Sequence, residues 1–303
     1  PAVTVVVPVE QLGASHVIPA QKPTGEVFSA GGAPATRLYG TLLGSAYLQD
    51  PVMGLAFGVP VTSNVPSTTK FTRSTVSAIM TGNVGTWDQV DSSLPADDIV
   101  ICRRVPGSGT QAVENLWAGN FPCSDSAFNV PADRDSSGAW NPVAHSYTVV
   151  AGSGWSQVVE NSTSGDVAVC MDKAVTGGTY TTKDRNGVAI TVDMGAGGHK
   201  AIGVLSLDSL SKSKAVGNWQ FRSLDGAGTY TWDNTALPPV TSGTGKFPTF
   251  EAYENGDWDM QGWESFNVPA RTTGAKKQVL DLFLVNAQDP AVLQSISDLK
   301  YVA

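Results

Sequence analysis

The sequence predicts an α/β fold, in which short strands alternate with helices. The apolar run Asp98–Arg103, rich in β-branched residues, is typical of a buried strand. Directly after it, Gln111–Trp117 carries apolar residues at helical spacing. The chain has 303 residues, a length that corresponds to one or two domains. Because ligands of open α/β sheets bind beyond the carboxyl ends of strands, the loop between these two elements is the first place to look for a site.

The N-terminal part is predicted to contain two strands and one helix. Ala2–Pro8 is a run of valines that a proline closes, as at the end of a strand. The glycine- and proline-rich stretch Ala20–Pro34 predicts a long loop. Thr36–Leu48 has apolar residues at helical spacing, and the Asp50-Pro51 pair would break that helix. The apolar run Val52–Val61 then predicts a strand.

The remaining elements follow from the same patterns. Ser74, Val76, Ile79 and Met80 predict a short helix that Gly82 ends. A strand at Tyr147–Val150 leads into a Gly-Ser-Gly turn and a helix running to Val159. Two further helices are predicted, from Thr272 or Thr273 through Val285 and from Asp289-Pro290 through Ile296.

The loop after Asp98–Arg103 has the composition of an anion cradle. Ser108 or Thr110 can cap the following helix, whose free N–H groups and positive dipole end point beyond the strand. Gly107 and Gly109 let the backbone approach a ligand, and Arg104 adds a planar fork suited to a tetrahedral oxyanion. No lysine follows Gly109, so the loop is not a nucleotide P-loop. An ordinary capped helix with a salt-bridged Arg104 is the alternative.

Two motifs in sequence carry a family resemblance. Thr81–Asp88 contains a glycine turn and Trp87, and the Arg-x-x-Gly-Ser-Gly-Thr loop of Arg104–Thr110 follows within about twenty residues. This order resembles the periplasmic phosphate-binding proteins that feed ABC phosphate importers. With gaps, the resemblance runs from Leu12 to the C-terminus. It implies a two-lobed α/β architecture of the periplasmic-binding-protein type, with the ligand cleft between lobes. The first lobe would comprise residues 1–61 and 195–303, and the second residues 62–194.

The resemblance also implies further ligand residues and two departures from the family. Leu12–Pro19 resembles the family's Gly-Ala-Ser-Asp-x-Pro segment, so Ser15 and His16 are expected to face the ligand. His16 stands where the family has an Asp, and it would donate a hydrogen bond where that Asp accepts one. Pro106 stands where the family has an Asp that orients the arginine. Ser153 and Gly154 are expected to bring a second helix N-terminus to the same cleft.

The same alignment leaves the first lobe incomplete. A family member has roughly sixty further residues before the Gly-Ala-Ser segment, so the chain is expected to be truncated or its first lobe remodelled. A rival alignment places the family's first strand at Val27–Ala33 and its helix at Thr36–Tyr47.

Composition restricts the partners and the compartment. The net charge of −8 argues against nucleic acid or an anionic membrane as a partner. It does not argue against a small anion, because nearby hydrogen-bond donors act on the anion while distant charges are screened. No run of eighteen apolar residues exists, so membrane insertion is not predicted. Element ends carry Cys123 and Cys170, and an apolar strand carries Cys102. The expectation is therefore a Cys123–Cys170 disulfide, a buried free thiol at Cys102, and export to the periplasm or the cell exterior.

The predicted function is that of an extracytoplasmic solute-binding protein for a tetrahedral oxyanion, with phosphate first and an ABC importer membrane complex as partner. Phosphonate, sulfate and the absence of any ligand remain open. No cofactor and no catalytic or metal-binding residues are predicted. Asp133–Gly138 begins like a calcium loop, but Ala144 occupies the position of its bidentate Glu.

Two alternatives belong to other classes of protein. One is a secreted structural or adhesive protein that reuses the fold without a ligand, which the residues at positions 16 and 106 favour. The other is a hydrolase, with a serine nucleophile and a histidine base, for which the candidates are Ser108, Ser153, His16, His145 and His199. Neither serine lies in a Gly-x-Ser-x-Gly elbow, which argues against catalysis.

Overall fold

The computed structural model describes residues 47–119, 129–135, 139–209, 217–226, 256–269 and 272–295. It also describes short strands at residues 4–5, 25–26, 28–29, 37–38, 230–232 and 245–247. These residues form a mixed α/β fold, so the predicted fold class is confirmed.

Strands are numbered in chain order. They are β1 Thr4–Val5, β2 Gly25–Glu26, β3 Phe28–Ser29, β4 Arg37–Leu38, β5 Tyr47–Gly58, β6 Pro60–Thr62, β7 Ile99–Arg104, β8 Trp140–Asn141, β9 Ser146–Thr148, β10 Gln157–Asn161, β11 Thr179–Lys183, β12 Ala189–Asp193, β13 Lys200–Gly203, β14 Leu205–Ser206, β15 Trp219–Phe221, β16 Tyr230–Trp232, β17 Gly245–Phe247 and β18 Gln261–Pro269. The helices are α1 Arg73–Met80, α2 Trp87–Val90, α3 Gly109–Trp117, α4 Ser164–Thr176, α5 Gly274–Ala287 and α6 Pro290–Ser295. Two 3₁₀ turns lie at Asp133–Asp135 and Leu207–Ser209.

A five-stranded sheet carries the candidate site. Its strand order is β10-β7-β13-β6-β15, with β10, β7 and β13 parallel and β6 antiparallel to its neighbours. Alternate residues of β7 enter two separate cores. Ile99 and Ile101 pack with α1, α2 and α3, whereas Val100 and Cys102 pack with α4. Burial on both faces explains why β7 begins with four consecutive apolar residues, Ile99–Cys102.

A second, three-stranded sheet has the order β14-β5-β18. Two of the passages between these sheets are single residues, Val59 from β5 to β6 and Val204 from β13 to β14. These crossings are neighbours, because Leu205 pairs with Gly58 and Ile202 pairs with Val61. A four-stranded sheet, β11-β12-β9-β8, adds further residues to the core beneath α4.

The predicted helix at Thr36–Leu48 is wrong at both of its described ends. Arg37–Leu38 forms β4, and Tyr47 and Leu48 belong to β5. Strand β5 pairs with β18 over its length, and this tertiary pairing overrides the local helical spacing. Pro51 does not break the strand, because a register shift between Glu264 and Ser265 places it at a β-bulge.

The predicted helix after the Gly-Ser-Gly turn is also wrong, since β10 follows instead. Val158 packs in one core and Val159 in the other. Consecutive residues that are buried on opposite faces are typical of a strand, whereas an amphipathic helix buries only one face. The helices predicted before Gly82, after Thr110 and after Thr273 are confirmed as α1, α3 and α5, and the short helix after Asp289 as α6.

The predicted disulfide is a further correction. Cys170 is bonded to Cys102, so Cys102 is not a free thiol. The reason is the packing of α4 on β7. Cys102 points toward the core that α4 covers, and Cys170 lies on the buried face of α4 with Val167 and Met171. Cys123 lies outside the described residues.

The two-lobe division at residues 61/62 and 194/195 stays a prediction. The five-stranded sheet draws strands from both predicted ranges. The predicted incompleteness of the first lobe and the rival alignment fall largely outside the described residues. Within the described part of the chain, no helix is long and apolar enough to cross a membrane.

Candidate functional site

The candidate site lies at the carboxyl edge of the parallel strands β7 and β10. Arg104 ends β7, Ser108 is the N-cap residue of α3, and Gly109 is its first residue. Helix α4 begins just after β10, and Asn161 at the end of β10 pairs with Arg104. Two helix N-termini therefore follow adjacent strand ends, the position at which open α/β sheets bind ligands.

The N-terminus of α3 is buried and lacks a side-chain cap. Ser108 is 1% exposed and its side chain makes no cap hydrogen bond, although its backbone is in the extended conformation of an N-cap. The Ser108 hydroxyl has no hydrogen-bond partner, and the first turn of α3 has no acidic residue. Gly109 and Thr110 are buried beside it. A buried helix end of this kind leaves polar groups that a ligand can satisfy.

Two other helices show what a satisfied N-terminus looks like in this protein. At α1, the Thr72 side chain accepts the Thr75 N–H. At α4, Thr163 and Asp166 form a reciprocal capping box. The carboxylate of Asp166 already occupies the donor end of α4, so the free donor end at this edge belongs to α3.

Arg104 is buried at 5% exposure and is held by Ser162, which precedes α4, and by Ser164, the first residue of α4. Its Nη1 donates to Ser164 Oγ over 2.9 Å and its Nη2 to the Ser162 carbonyl over 2.7 Å. Its Nε is buried without a partner. Burial lowers the pKa of the Arg104 guanidinium to about 10, and the Asp166 carboxylate opposes this shift. The guanidinium is thus a buried cation whose Nε–H is left without a partner.

The start of α4 orients the Arg104 guanidinium, a role that the side chain of Pro106 cannot take. Proline has no side-chain acceptor, and Ser162 and Ser164 bind both terminal nitrogens of Arg104 instead. Sequence reasoning missed both serines. A detectable signal was present, because Thr163 and Asp166 have capping-box spacing, which marks a helix start directly after a buried strand.

Arg103 points to the opposite face of the sheet from Arg104. It donates to the Val130 carbonyl over 2.6 Å and to Glu160 over 3.4 Å. Burial raises the pKa of the nearby Glu114 carboxyl, and the charge of Arg103 opposes that shift. Glu160 also pairs with Arg185 over 2.7 Å. Arg103 is therefore engaged in a buried ionic cluster with no direct hydrogen bond to the Ser108 loop.

The structure separates Ser153 and Gly154 from the Arg104 loop. Both precede β10 and lie at the amino edge of the sheet, about 15 Å from its carboxyl edge for a five-residue strand. Asp98 binds them there, accepting from Ser153 N over 2.7 Å, Ser153 Oγ over 2.8 Å and Gly154 N over 2.8 Å. The expectation that they share one cleft with Arg104 through a second helix N-terminus is wrong.

The other residues proposed from the sequence lie outside the described residues or have different hydrogen-bond partners. Ser15 and His16 lie outside the described residues. Asp133 accepts hydrogen bonds from Tyr147 Oη and Val158 N, which gives this carboxylate a structural role without an ion. No group of three or more metal-ligating side chains occurs among the described residues. The Ser153 hydroxyl donates to Asp98, and His199 Nε2 lies 3.1 Å from the Met194 carbonyl.

Comparison with known proteins gives fold-level neighbours. No protein-family model and no curated protein matches the chain. Among solved structures, PstS from Borrelia burgdorferi is similar, with 14% identity, a TM-score of 0.45, and coverage of 88% of this chain and 76% of that one. An ABC-type phosphate transport receptor from Vibrio cholerae has 14% identity, a TM-score of 0.43, and coverage of 80% and 67%. At these values the ligand has to be argued from the geometry of the site.

Proposed function

We propose that the protein is an extracytoplasmic solute-binding protein that binds a tetrahedral oxyanion, with phosphate as the first candidate, for transport or scavenging. The observation that carries this proposal is the buried, uncapped N-terminus of α3 next to a buried guanidinium on the same sheet edge. Neither feature needs a residue with acid or base chemistry, so we propose binding without catalysis.

The physical argument is one of unsatisfied donors and uncompensated charge. Ser108 Oγ and Arg104 Nε are buried polar atoms without partners, and leaving such groups unpaired is costly. An oxyanion at the start of α3 would accept from Ser108, from the backbone N–H groups of Gly109 and Thr110, and from Arg104. Its charge would also favour the positive end of the helix dipole. A tetrahedral oxyanion matches this set because it offers several acceptors in a small volume.

A second candidate is a secreted structural or adhesive protein in which the same loop has no ligand. It is favoured by the contacts of Arg104, whose two terminal nitrogens are already bound to Ser162 and Ser164. In that case the arginine ties β7 to α4 and the Ser108 hydroxyl stays unpaired.

Calorimetric titration separates the two candidates. We expect phosphate, sulfate or both to bind the intact protein below millimolar concentration. Arg104→Ala should weaken binding by roughly ten- to a hundredfold, because a hydrogen bond to a charged group contributes about 1.5–3 kcal/mol. Ser108→Ala removes one neutral donor and should weaken binding by less, about fivefold.

Ser153→Ala is the matched control, because this serine lies at the opposite sheet edge and should leave affinity unchanged. Thermal unfolding of each variant shows whether Arg104→Ala protein is folded, and Arg104→Lys retains the charge without the planar fork. Absence of binding by the wild type at millimolar phosphate and sulfate would overturn the oxyanion proposal in favour of the structural role.

A further inference from the structure

A cavity of about 750 Å³ lies at the other end of the five-stranded sheet, beside β15. One wall is the loop Ser67–Thr72 and the other is Gln220–Ser223 with Asp225 and Gly226. Strand β15 is three strands away from β7 in the sheet order, which corresponds to about 14 Å. The cavity is therefore distinct from the Arg104 site, and its volume is that of a small-molecule site.

Arg222 in the cavity wall is a buried cation that has no counter-ion among the described residues. It is 5% exposed, and within that part of the chain it donates to the carbonyls of Val65 and Pro66. Its Nε has no partner. Burial lowers the pKa of this guanidinium to about 10, with no carboxylate opposing the shift. An uncompensated buried charge is expensive, and a bound anion would offset that cost.

The other arginines whose side chains the structure describes all have an acidic neighbour. Arg73 pairs with Asp259, Arg103 with Glu160, Arg134 with Asp184, and Arg185 with Asp135 and Glu160. Arg104 makes no direct ion pair among the described residues, but the negative charge of Asp166 still acts on it. Arg222 is the exception within the described part of the chain, which marks its surroundings as a place where negative charge is missing.

Lys70 adds a second cation at the cavity mouth. It is exposed on the Ser67–Thr72 wall and has no ion pair among the described residues. The acidic group in the lining is Asp225, whose carboxylate accepts the Arg73 N–H over 3.0 Å at the start of α1. That contact places its charge at a helix N-terminus. The lining thus carries two cations and one engaged carboxylate on a chain with a net charge of −8, so it attracts anions locally.

The size and lining of the cavity indicate the ligand class. A single tetrahedral oxyanion would fill only a small part of about 750 Å³. Ser67 and Thr68 are exposed on one wall, and Ser223 is half-buried on the other. These hydroxyls can donate to and accept from ligand hydroxyls. We propose that this cavity binds a small hydroxylated organic anion, such as a sugar acid or a sugar phosphate, with Lys70 contacting the anionic group and Arg222 providing positive potential from the wall.

Calorimetry with the intact protein tests the proposal, using D-gluconate, glucose 6-phosphate and neutral glucose as probes. We expect at least one of the two anions to bind and glucose to bind far more weakly. Lys70→Glu turns an attraction at the cavity mouth into a repulsion and should weaken anion binding by about fivefold. It changes an exposed side chain, so the fold is retained.

Lys183→Glu is the matched control, because Lys183 is an exposed lysine on β11 in another sheet. Lys183→Glu should leave the affinity for both anions unchanged. Arg104→Ala should leave the affinity for gluconate unchanged, which separates this cavity from the oxyanion site, because gluconate has no phosphate group. The proposal is overturned if neither anion binds, if glucose binds as tightly as the anions, or if Lys70→Glu has no effect. Loss of gluconate binding in folded Arg104→Ala protein would also overturn it, since the ligand would then occupy the other site.

Discussion

Arg103 and Arg104 are adjacent residues with opposite surroundings, because successive side chains of a strand point to opposite faces. Arg103 enters the ionic cluster of Glu160, whereas Arg104 reaches the loop before α4. Both are buried, but no carboxylate among the described residues contacts Arg104 directly, and its Nε has no hydrogen-bond partner. The sequence predicted Arg104 as the anion-binding member of the pair. Its partners Ser162 and Ser164 could not be assigned to it from local pattern alone, since they follow the neighbouring strand β10, about sixty residues later in the chain.

Glu114 provides a test of burial at a single residue. Burial raises the pKa of its carboxyl in the folded protein, so the folded state binds more protons than the unfolded state above the ordinary Glu value. The contribution of Glu114 to stability is therefore greatest at low pH and is lost as pH rises through its folded-state pKa. We expect Glu114→Gln to be more stable than wild type at pH 8, with the difference vanishing near pH 4.

Urea unfolding at several pH values measures this effect. Asp257→Asn is run as the control, since it makes the same acid-to-amide change at an exposed residue. A Glu114→Gln protein that is less stable than wild type at pH 8 would mean that attraction to Arg103 outweighs desolvation.

Asp98 holds the turn that carries Ser153 and Gly154. It is 7% exposed and accepts four hydrogen bonds, the fourth from Gln157 Nε2 over 3.1 Å. Asp98→Ala should lower the free energy of unfolding by about 1–3 kcal/mol, because buried donors lose their acceptor. Ser153→Ala should cost less, since water can replace its hydroxyl. Equal urea midpoints for wild type and Asp98→Ala would contradict this role. Because Asp98 lies at the amino edge of the sheet, Asp98→Ala should leave the affinity for phosphate unchanged.

Among the elements, β7 and α3 were predictable because each buries apolar residues in a simple local pattern. The strand predicted at Val52–Val61 is found as the rest of β5 and the start of β6, but the first residues of β5, Tyr47–Pro51, and the pairing of Cys102 with Cys170 were not predictable. In β5, pairing with β18 decides the conformation, and the partner lies about two hundred residues later in the chain. For the cysteines, the deciding fact is that α4 packs on the face of β7 that carries Cys102. Both depend on tertiary contacts that no local window contains.

The disulfide gives a prediction for the β7–α4 unit. It closes a loop with a sequence separation of 68 residues, for which chain entropy gives a stabilisation of about 4 kcal/mol. Reduction, or the Cys102→Ala/Cys170→Ala double variant, should lower the urea midpoint accordingly. Alkylation of unreduced, denatured protein followed by peptide mapping should label Cys123 alone. Labelling of Cys102, with Cys123 and Cys170 protected, would restore the pairing expected from the sequence.

At the scale of the whole molecule, the two neighbouring crossings at Val59 and Val204 have the geometry of a hinge between the two sheets. Each is a single residue between a strand of the three-stranded sheet and a strand of the five-stranded sheet. Gly58 precedes one crossing, and a Cβ there would lie 2.8 Å from side-chain atoms of Leu207 and Phe221. Such paired, short connections are typical of hinges, which absorb a domain rotation in a few residues.

If an oxyanion at the start of α3 is also contacted from the other predicted lobe, binding should close this hinge. We expect small-angle X-ray scattering to show a decrease in the radius of gyration on addition of phosphate. A compact chain of this length typically has a radius of gyration of about 19 Å. Arg104→Ala protein at the same phosphate concentration should show no decrease. Gly58→Ala should reduce both closure and affinity, because its Cβ would have to displace Leu207 and Phe221. If phosphate binds by calorimetry but the scattering of the wild type is unchanged, the site lies on one rigid unit and the two-lobed cleft is wrong.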